Sequence, residues 1–151
     1  MNNELAQLVI RHLKAENAHD LPGTLATLHP DCQFEDLATG QRWQGHEGAA
    51  AHYRQWWSTF DVEVKRAPGQ QSVWSADGYM AEATWYGRHI GRFLGIEPTG
   101  RTIVQPFVVV LSFRDGLMSG ERFHYDLGSL LRQIGADPLP ALAGLAHRRA
   151  A

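Results

Sequence analysis

The chain has 151 residues, a formal net charge of −2 and a single cysteine, Cys32. A chain of this length buries enough apolar surface to fold as one domain, residues 1–151, without disulfides. Its charges are spread over both signs, so it lacks the basic stripe that binds nucleic-acid phosphates. A lone cysteine cannot form an intrachain disulfide, which favours a reducing compartment. We therefore expect a cytoplasmic protein without a nucleic-acid partner.

The N-terminal segment MNNELAQLVIRHLKAEN has apolar side chains at helical spacing, interrupted by charges. This pattern predicts an opening helix and not a signal peptide. A short second helix is predicted over Pro22–Leu28, where His29-Pro30 ends it. The segments Cys32–Leu37 and Gln41–Gln44 then flank a hairpin turn. No apolar run approaches the ~18 residues of a membrane-spanning helix, so no membrane partner is expected.

A third helix is predicted over His46–Phe60. Four aromatic side chains in it lie three or four positions apart and form one stripe, which we expect to face inward. They are Tyr53, Trp56, Trp57 and Phe60.

Five strands should follow, separated by Pro-Gly, Asp-Gly and Pro-Thr-Gly turns. They are Val62–Arg66, Gln71–Ala76, Tyr79–Phe93, Arg101–Arg114 and Leu117–Asp126. A last helix, Leu127–Ile134, precedes a C-terminal tail over 136–151. This order predicts an α+β fold in which the helices pack on one strongly curved antiparallel sheet.

The run GRHIGRFLGIEPTGR has three glycines, one histidine and one aromatic residue at every second position, and therefore on one face of a strand. They are Gly87, His89, Gly91, Phe93 and Gly95. Such a face cannot fill a packed core, so we expect it to bend around an open space with His89 in the wall. Alternatively, the glycines only let the sheet turn or another backbone approach, and His89 is structural.

Side chains of the last predicted strand alternate between two faces. One face has Arg122, His124 and Asp126, and the other has Glu121, Phe123 and Tyr125. A carboxylate that is desolvated beside apolar walls can act as a general acid or base near neutral pH, and we assign this role to Asp126. The alternative is that Asp126 caps the following helix.

The abundant aromatic residues could line a small-molecule cavity. The candidate substrate-binding residues are Tyr53, Trp57, His124, Phe34, Trp85 and Phe93. The pairs His12/Glu16 and His46/Glu47 can equally be solvated helix-face residues. Metal, dinucleotide and phosphate-binding motifs are absent, so no metal and no cofactor are expected. A facial triad of His89, His124 and Asp126 is the remaining metal possibility.

Three segments, GRHIGRFLGIEPTGR, ERFHYDLGSLLRQIG and HPDCQFEDLATG, resemble the SnoaL-like polyketide cyclase family over roughly Leu5 to Gly135. This resemblance implies the cone-shaped α+β barrel of the nuclear transport factor 2 superfamily. It also implies a cofactor-independent enzyme, in which an aspartate at the end of the last long strand enolises an activated carbonyl compound for an intramolecular aldol condensation. Asp126 has that position. The assisting histidine of the antibiotic cyclases has no counterpart in Phe107–Arg114, so His89 or His124 would replace it.

Three functional hypotheses follow. The first is a cyclase, isomerase or lyase that acts on a hydrophobic carbonyl compound, with Asp126 as base and His89 orienting or stabilising the enolate. The second is a noncatalytic small-molecule binding protein of the same fold. The third is an epoxide or ester hydrolase, in which Asp36 or Glu35 would be a second carboxylate. The resemblance further implies a homodimer.

Overall fold

The computed structural model of the chain describes residues 3–76 and 78–149. Five helices and seven strands lie within these residues. The helices are α1 (Asn3–Asn17), α2 (Leu21–Leu25), α3 (Gly45–Phe60), α4 (Leu127–Gln133) and α5 (Pro138–Arg149). The strands are β1 (Leu28–Asp36), β2 (Arg42–Gln44), β3 (Glu63–Lys65), β4 (Ser72–Trp74), β5 (Gly78–Arg88), β6 (Thr102–Arg114) and β7 (Leu117–Tyr125). The element order therefore agrees with the sequence prediction, and the predicted tail contains α5. Asp77, part of a predicted turn, lies outside the described residues.

All seven strands belong to one strongly curved sheet in the order β2-β1-β7-β6-β5-β3, with β4 also paired to β5. Neighbouring strands are antiparallel except for β1 and β7, which run parallel. The all-antiparallel prediction was therefore wrong for this pair. Turn signals between consecutive strands report only on hairpins, and β1 and β7 are joined through the rest of the chain. Register shifts in β1 and between Ser112 and Phe113 of β6 interrupt the pairing, as β-bulges do where strands bend.

The hydrophobic core lies between the sheet and the helices. The predicted inward stripe of α3 is confirmed, because three of its four aromatic residues are buried and Trp57 is half-buried. The fully buried large side chains of this core include Leu28, Phe34, Tyr53, Phe60, Ile103, Met118, Leu130, Leu131 and Ile134. Helix α3 ends at Asp61, whose left-handed backbone (φ 49°) lets its N–H donate to the carbonyl of Trp57.

The glycine-rich run after β5 does not enclose an open space, and that expectation was wrong. Strand β5 ends at Arg88, and the following backbone packs against the C-terminal end of α3, where the amides of Ile90 and Gly91 donate to the carbonyl of Thr59. A Cβ at Gly87 or Gly91 would collide with a carbonyl oxygen of α3. These glycines therefore permit close backbone approach, the alternative that the sequence left open.

In the described part of the chain, no helix combines the length and the apolar character that crossing a bilayer requires.

Candidate active site

Three buried polar side chains from three different elements meet on the inner side of the sheet. The Tyr53 hydroxyl of α3 lies 3.0 Å from Glu121 Oε1 of β7 and 3.0 Å from His12 Nε2 of α1. His12 Nε2 is also 3.1 Å from Glu121 Oε1, and both side chains are only 6% exposed. We call His12, Tyr53 and Glu121 the polar cluster. It is a compact constellation of titratable groups, of the kind found at acid–base sites.

The hydrogen bonds around His12 indicate where its protons lie. The Thr27 hydroxyl donates to the Thr24 carbonyl (2.6 Å), so its oxygen is left to accept the Nδ1–H of His12 (2.7 Å). When Tyr53 donates its single proton to Glu121, His12 Nε2 must also be a donor toward the Tyr53 oxygen. The arrangement therefore suits an imidazolium beside the Glu121 carboxylate.

Three pKa values in this region are shifted upward, by burial or by neighbouring charges. Burial lowers the pKa of His12, but its hydrogen bond to Glu121 and the charges of Glu121 and Glu16 outweigh burial and raise it. Burial raises the pKa of Glu16 to about 7, with His12 opposing and Glu121 adding to the effect. Burial, followed by the charge of Glu121, raises the pKa of Tyr53 well above its ordinary value. A carboxylic acid and a carboxylate can therefore coexist here near neutral pH.

Local sequence explains how these groups converge. His12 and Glu16 are one turn apart on α1 and share a face, with His12 Nε2 3.8 Å from Glu16 Oε2. Glu121 and Phe123 are two residues apart on β7, so both point to the inner side of the sheet. The predicted two-face alternation of this strand is confirmed, but the inner face is the one that carries Glu121.

A cavity of about 90 Å³ opens beside the polar cluster. Its walls are mainly apolar and come from α1, β3, β5, β6 and β7. They include Val9, Leu13, Val64, Tyr79, Ala81, Ala83, Trp85, Phe107, Val109, Leu111, Met118 and Phe123, together with His12, Glu16 and Glu121. Water exclusion by such walls strengthens electrostatic interactions, so this cavity is our candidate active site. A groove of about 800 Å³, lined by Glu35, Arg42 and Arg122 among others, is larger but more open.

Another buried histidine, His52, also contacts the ring of Tyr53 and lies among aromatic rings. Its ring stacks on Phe123 (centroids 4.9 Å apart, planes 11°) and contacts Trp43 and Phe34 edge-on or tilted. His52 Nδ1 is buried without a hydrogen-bond partner. Burial, together with the nearby charge of His12, lowers the pKa of His52 to about 3. His52 is therefore neutral across the physiological range.

Asp126 does not lie in the cavity, and the expectation of a desolvated base was wrong. Its side chain is 66% exposed, accepts the Ser129 amide (3.0 Å) and lies 3.7 Å from Arg132 Nη2. Asp126 is the N-cap of α4, the alternative that the sequence left open. The physical reason is that Asp126 continues the outer face of β7, on which Arg122 and His124 are exposed, and it then caps the helix that follows.

His89 is buried, but its surroundings are structural. Its Nδ1 lies 3.1 Å from Thr99 Oγ1 and 3.3 Å from the Thr99 amide, and its ring packs against Phe60. Burial lowers the pKa of His89. It does not line the cavity beside the polar cluster, so the structure does not place it with a substrate or an enolate there.

The other sequence candidates divide between the cavity and the rest of the core. Trp85 lines the cavity, Tyr53 belongs to the polar cluster, and Trp57 stacks on Tyr53 (5.5 Å). Phe34 lies behind Tyr53 (5.8 Å), and Phe93 packs on Phe60 (4.9 Å).

His124 is exposed because it alternates with the inward-facing Phe123, so it does not line the cavity beside the polar cluster. The proposed triad of His89, His124 and Asp126 is not assembled. Among the described residues, no group of three or more His, Cys, Asp or Glu side chains is placed to hold a metal ion.

The candidates for a second hydrolytic carboxylate are engaged elsewhere. Buried Asp36 accepts the amides of Ala38 and Thr39 and the hydroxyl of Tyr125 (2.8 Å). Glu35 forms an ion pair with Arg42 (2.7 Å). Both residues therefore organise the β1–β2 region, and neither lines the cavity.

Sequence reasoning missed Glu121 as a functional residue and gave His12 and Glu16 little weight. Two signals were available in the sequence. Glu121 shares a strand face with Phe123, and His12 replaces an apolar residue within the apolar face of α1. Neither signal shows that the two faces meet, which depends on tertiary packing.

Known proteins resemble this chain in both sequence and fold. The family model "SnoaL-like polyketide cyclase" matches residues 6–134. A 74-residue segment is 36% identical to aklanonic acid methyl ester cyclase AcmA of Streptomyces galilaeus, and the match spans about half of each chain (49%). The structure of TsrD from Streptomyces laurentii is 30% identical, with a TM-score of 0.76 over 90% of this chain and 98% of that one. A structure from Xanthomonas campestris, titled a putative polyketide cyclase, is 21% identical, with a TM-score of 0.77 over 87% and 97%, and so supports the fold.

Proposed function

Since this chain belongs to the SnoaL-like polyketide cyclase family, we propose that it catalyses proton transfer on a hydrophobic carbonyl compound, leading to an intramolecular aldol cyclisation or a related isomerisation or elimination. The reaction takes place in the cavity beside the polar cluster. The observation that carries the proposal is that Glu121 is held by Tyr53 and His12 in an apolar wall that also contains Glu16. The core at about residues 5–135 supplies these groups, and 136–151 forms an extension.

Glu121 is the general base in this proposal. Its Oε1 accepts the Tyr53 hydroxyl and faces His12, so these donors hold the carboxylate in one orientation. Glu16 is the general acid, because burial raises its pKa to about 7 and keeps much of it protonated at neutral pH. The pair therefore provides both roles without a protein-bound cofactor.

The protons balance over one cyclisation. Glu121 removes a proton from the carbon next to the substrate carbonyl, and the Glu16 carboxylic acid donates a hydrogen bond to an oxygen that gains charge. When the enolate carbon attacks a second carbonyl, a carbon–carbon bond forms and the alkoxide takes the Glu16 proton. His12 lies between the carboxylates, 3.1 Å from Glu121 and 3.8 Å from Glu16, and returns the proton from Glu121 to Glu16. No net proton is consumed.

The test measures deuterium incorporation from D₂O at the carbon next to the carbonyl in a panel of methyl ketones and β-keto esters. Wild type should exceed the uncatalysed rate, and Glu121→Gln should lower the catalysed rate by at least about a hundredfold. The matched control is Asp126→Asn, a carboxylate-to-amide change at an exposed cap, which should stay within about twofold because Asn also caps helices. Equal rates for wild type and E121Q would contradict the proposal.

The same panel separates the alternatives. Ligand binding by wild type and E121Q alike, with no exchange in any compound, would favour a noncatalytic binding protein. Incorporation of ¹⁸O from labelled water into product would favour hydrolysis, because only hydrolysis must add a water oxygen. A homodimer remains a prediction, which sedimentation equilibrium tests.

A further inference from the structure

The most exposed residues of the cavity lining lie at and just beyond the end of β3, beside the last turn of α1. Asn17, the last residue of α1, exchanges two hydrogen bonds with the backbone of Val64 (2.8 and 2.9 Å), which holds β3 against this helix. Val64 is buried in the cavity wall, whereas Lys65 and Arg66, which also line the cavity, are exposed. We call Lys65 and Arg66 the basic mouth.

The volume of the cavity limits how much of a substrate it encloses. Its volume is about 90 Å³, whereas ligand pockets are commonly ~300–1,000 Å³ and a cavity of ~150 Å³ holds benzene. Only the reacting end of a drug-sized molecule fits beside the polar cluster. The rest of such a substrate must therefore extend through the basic mouth.

The charges at the mouth favour a negative group there. Arg66 Nη2 donates to the Gln70 carbonyl (2.8 Å), which fixes one edge of its guanidinium. Lys65 Nζ lies 2.8 Å from Glu63 Oε2, an exposed pair that gives little stability and can rearrange toward a ligand. The acidic residues of the lining are Glu16, whose raised pKa reduces its negative charge, and Glu121, which is paired with His12 in the polar cluster. The mouth therefore has an excess of positive charge.

We propose that the substrate is a keto acid, whose ketone end enters the cavity and whose carboxylate remains at the basic mouth, paired with Lys65 and Arg66. This inference rests on the proposed function for the choice of a ketone at the inner end. Recognition of the carboxylate depends only on the mouth.

The experiment measures binding of 4-oxopentanoate, 6-oxoheptanoate and 8-oxononanoate, and of their methyl esters, by titration calorimetry at low ionic strength, where exposed charges are least screened. At least one acid should bind wild type about fivefold to tenfold more tightly than its ester. The double variant K65Q/R66Q should abolish this preference, so that each acid and its ester bind with similar affinity. The matched double variant R54Q/R88Q removes two exposed arginines that do not line the cavity, and it should keep the preference.

Equal affinities of wild type for every acid and its ester, or a preference that survives in K65Q/R66Q, would overturn the proposal. Binding of none of the six compounds would overturn it too, because it would reject the stated substrate class. The same titrations on E121Q separate this inference from the proposed function. If E121Q keeps the preference for acids and its exchange activity equals that of wild type, only the catalytic role of Glu121 is refuted. If E121Q loses exchange activity but wild type shows no preference for acids, only the basic mouth is refuted.

Discussion

His12 and His52 are both buried, and both contact the ring of Tyr53, yet their pKa values shift in opposite directions. His12 lies 3.1 Å from the Glu121 carboxylate, whereas His52 is surrounded by Phe34, Trp43 and Phe123. Burial disfavours the charged ring in both places, and only a nearby carboxylate reverses that effect. The comparison shows that, of two buried histidines in contact with one tyrosine, only the one beside a carboxylate is suited to handle protons.

Removing the carboxylate should make His12 resemble His52. In Glu121→Gln the charge of Glu121 is lost and only that of Glu16 still opposes burial, so the pKa of His12 should fall. Titration of the imidazole signals by NMR measures the change, alongside the loss of turnover of at least about a hundredfold. A His12 pKa that is unchanged in E121Q would show that Glu121 is not the cause.

His52 should make the protein sensitive to acid. Its folded pKa is lowered to about 3, so below pH 6.5 the unfolded chain binds this proton more readily than the folded chain does. The stability from a neutral His52 is complete above pH 6.5 and is lost as pH falls toward 3, by on the order of 4 kcal/mol.

Urea unfolding of wild type and His52→Phe between pH 7 and 3 measures this contribution. The phenylalanine keeps a ring in the aromatic surroundings and removes the titratable nitrogen, so the variant should lose less stability on acidification. Parallel curves for the two proteins would contradict the assignment.

Glu16 should limit activity on the alkaline side. Its folded pKa of about 7 means that the acid form required for catalysis disappears as pH rises through 7, so kcat/KM should fall there. Glu16→Gln should lower kcat/KM about tenfold at pH 6 and remove this alkaline decline. The same pKa shift reduces stability as pH rises from 4.5 to about 7, because the folded state retains the proton that the unfolded state releases. An unchanged pH profile in E16Q would assign the decline to another group.

Substitutions of Asp126 should have the smallest effects of those considered: a small loss of stability and almost no change in activity. Asp126→Ala removes the acceptor of the Ser129 amide and should lower the free energy of unfolding by about 1 kcal/mol. Asp126→Asn retains a capping side chain and should stay close to wild type. Thermal unfolding and turnover of both variants test this, and loss of turnover in D126N with normal stability would restore a catalytic role for the residue.

The element order and much of the core were predictable because they depend on local patterns. Turn residues separated the strands, and the spacing of Tyr53, Trp56 and Phe60 was enough to indicate a buried helix face. The alternation in β7 was also predicted correctly, because successive side chains of a strand must point to opposite faces.

The choice between those two faces was not predictable from the strand alone. The sequence offered His124 and Asp126 on one side and Glu121 and Phe123 on the other, and both sides carry titratable groups. Packing of α1 and α3 against the sheet made the face with Glu121 the inner one. The same packing turned the His12/Glu16 pair inward. The glycines at 87 and 91 correctly indicated the close approach of another backbone. The sequence did not show that this backbone is the end of α3.

The sequence by itself determined helices α1 to α4, the long strands, the aromatic face of α3 and the resemblance to a family, since all of these depend on residues that are close together in the chain. Only the tertiary structure decided which histidine meets which carboxylate, because Tyr53 is separated from His12 by 41 positions and from Glu121 by 68. Their mutual distances, and the pKa values that follow from them, depend on how α1 and α3 lie across the curved sheet.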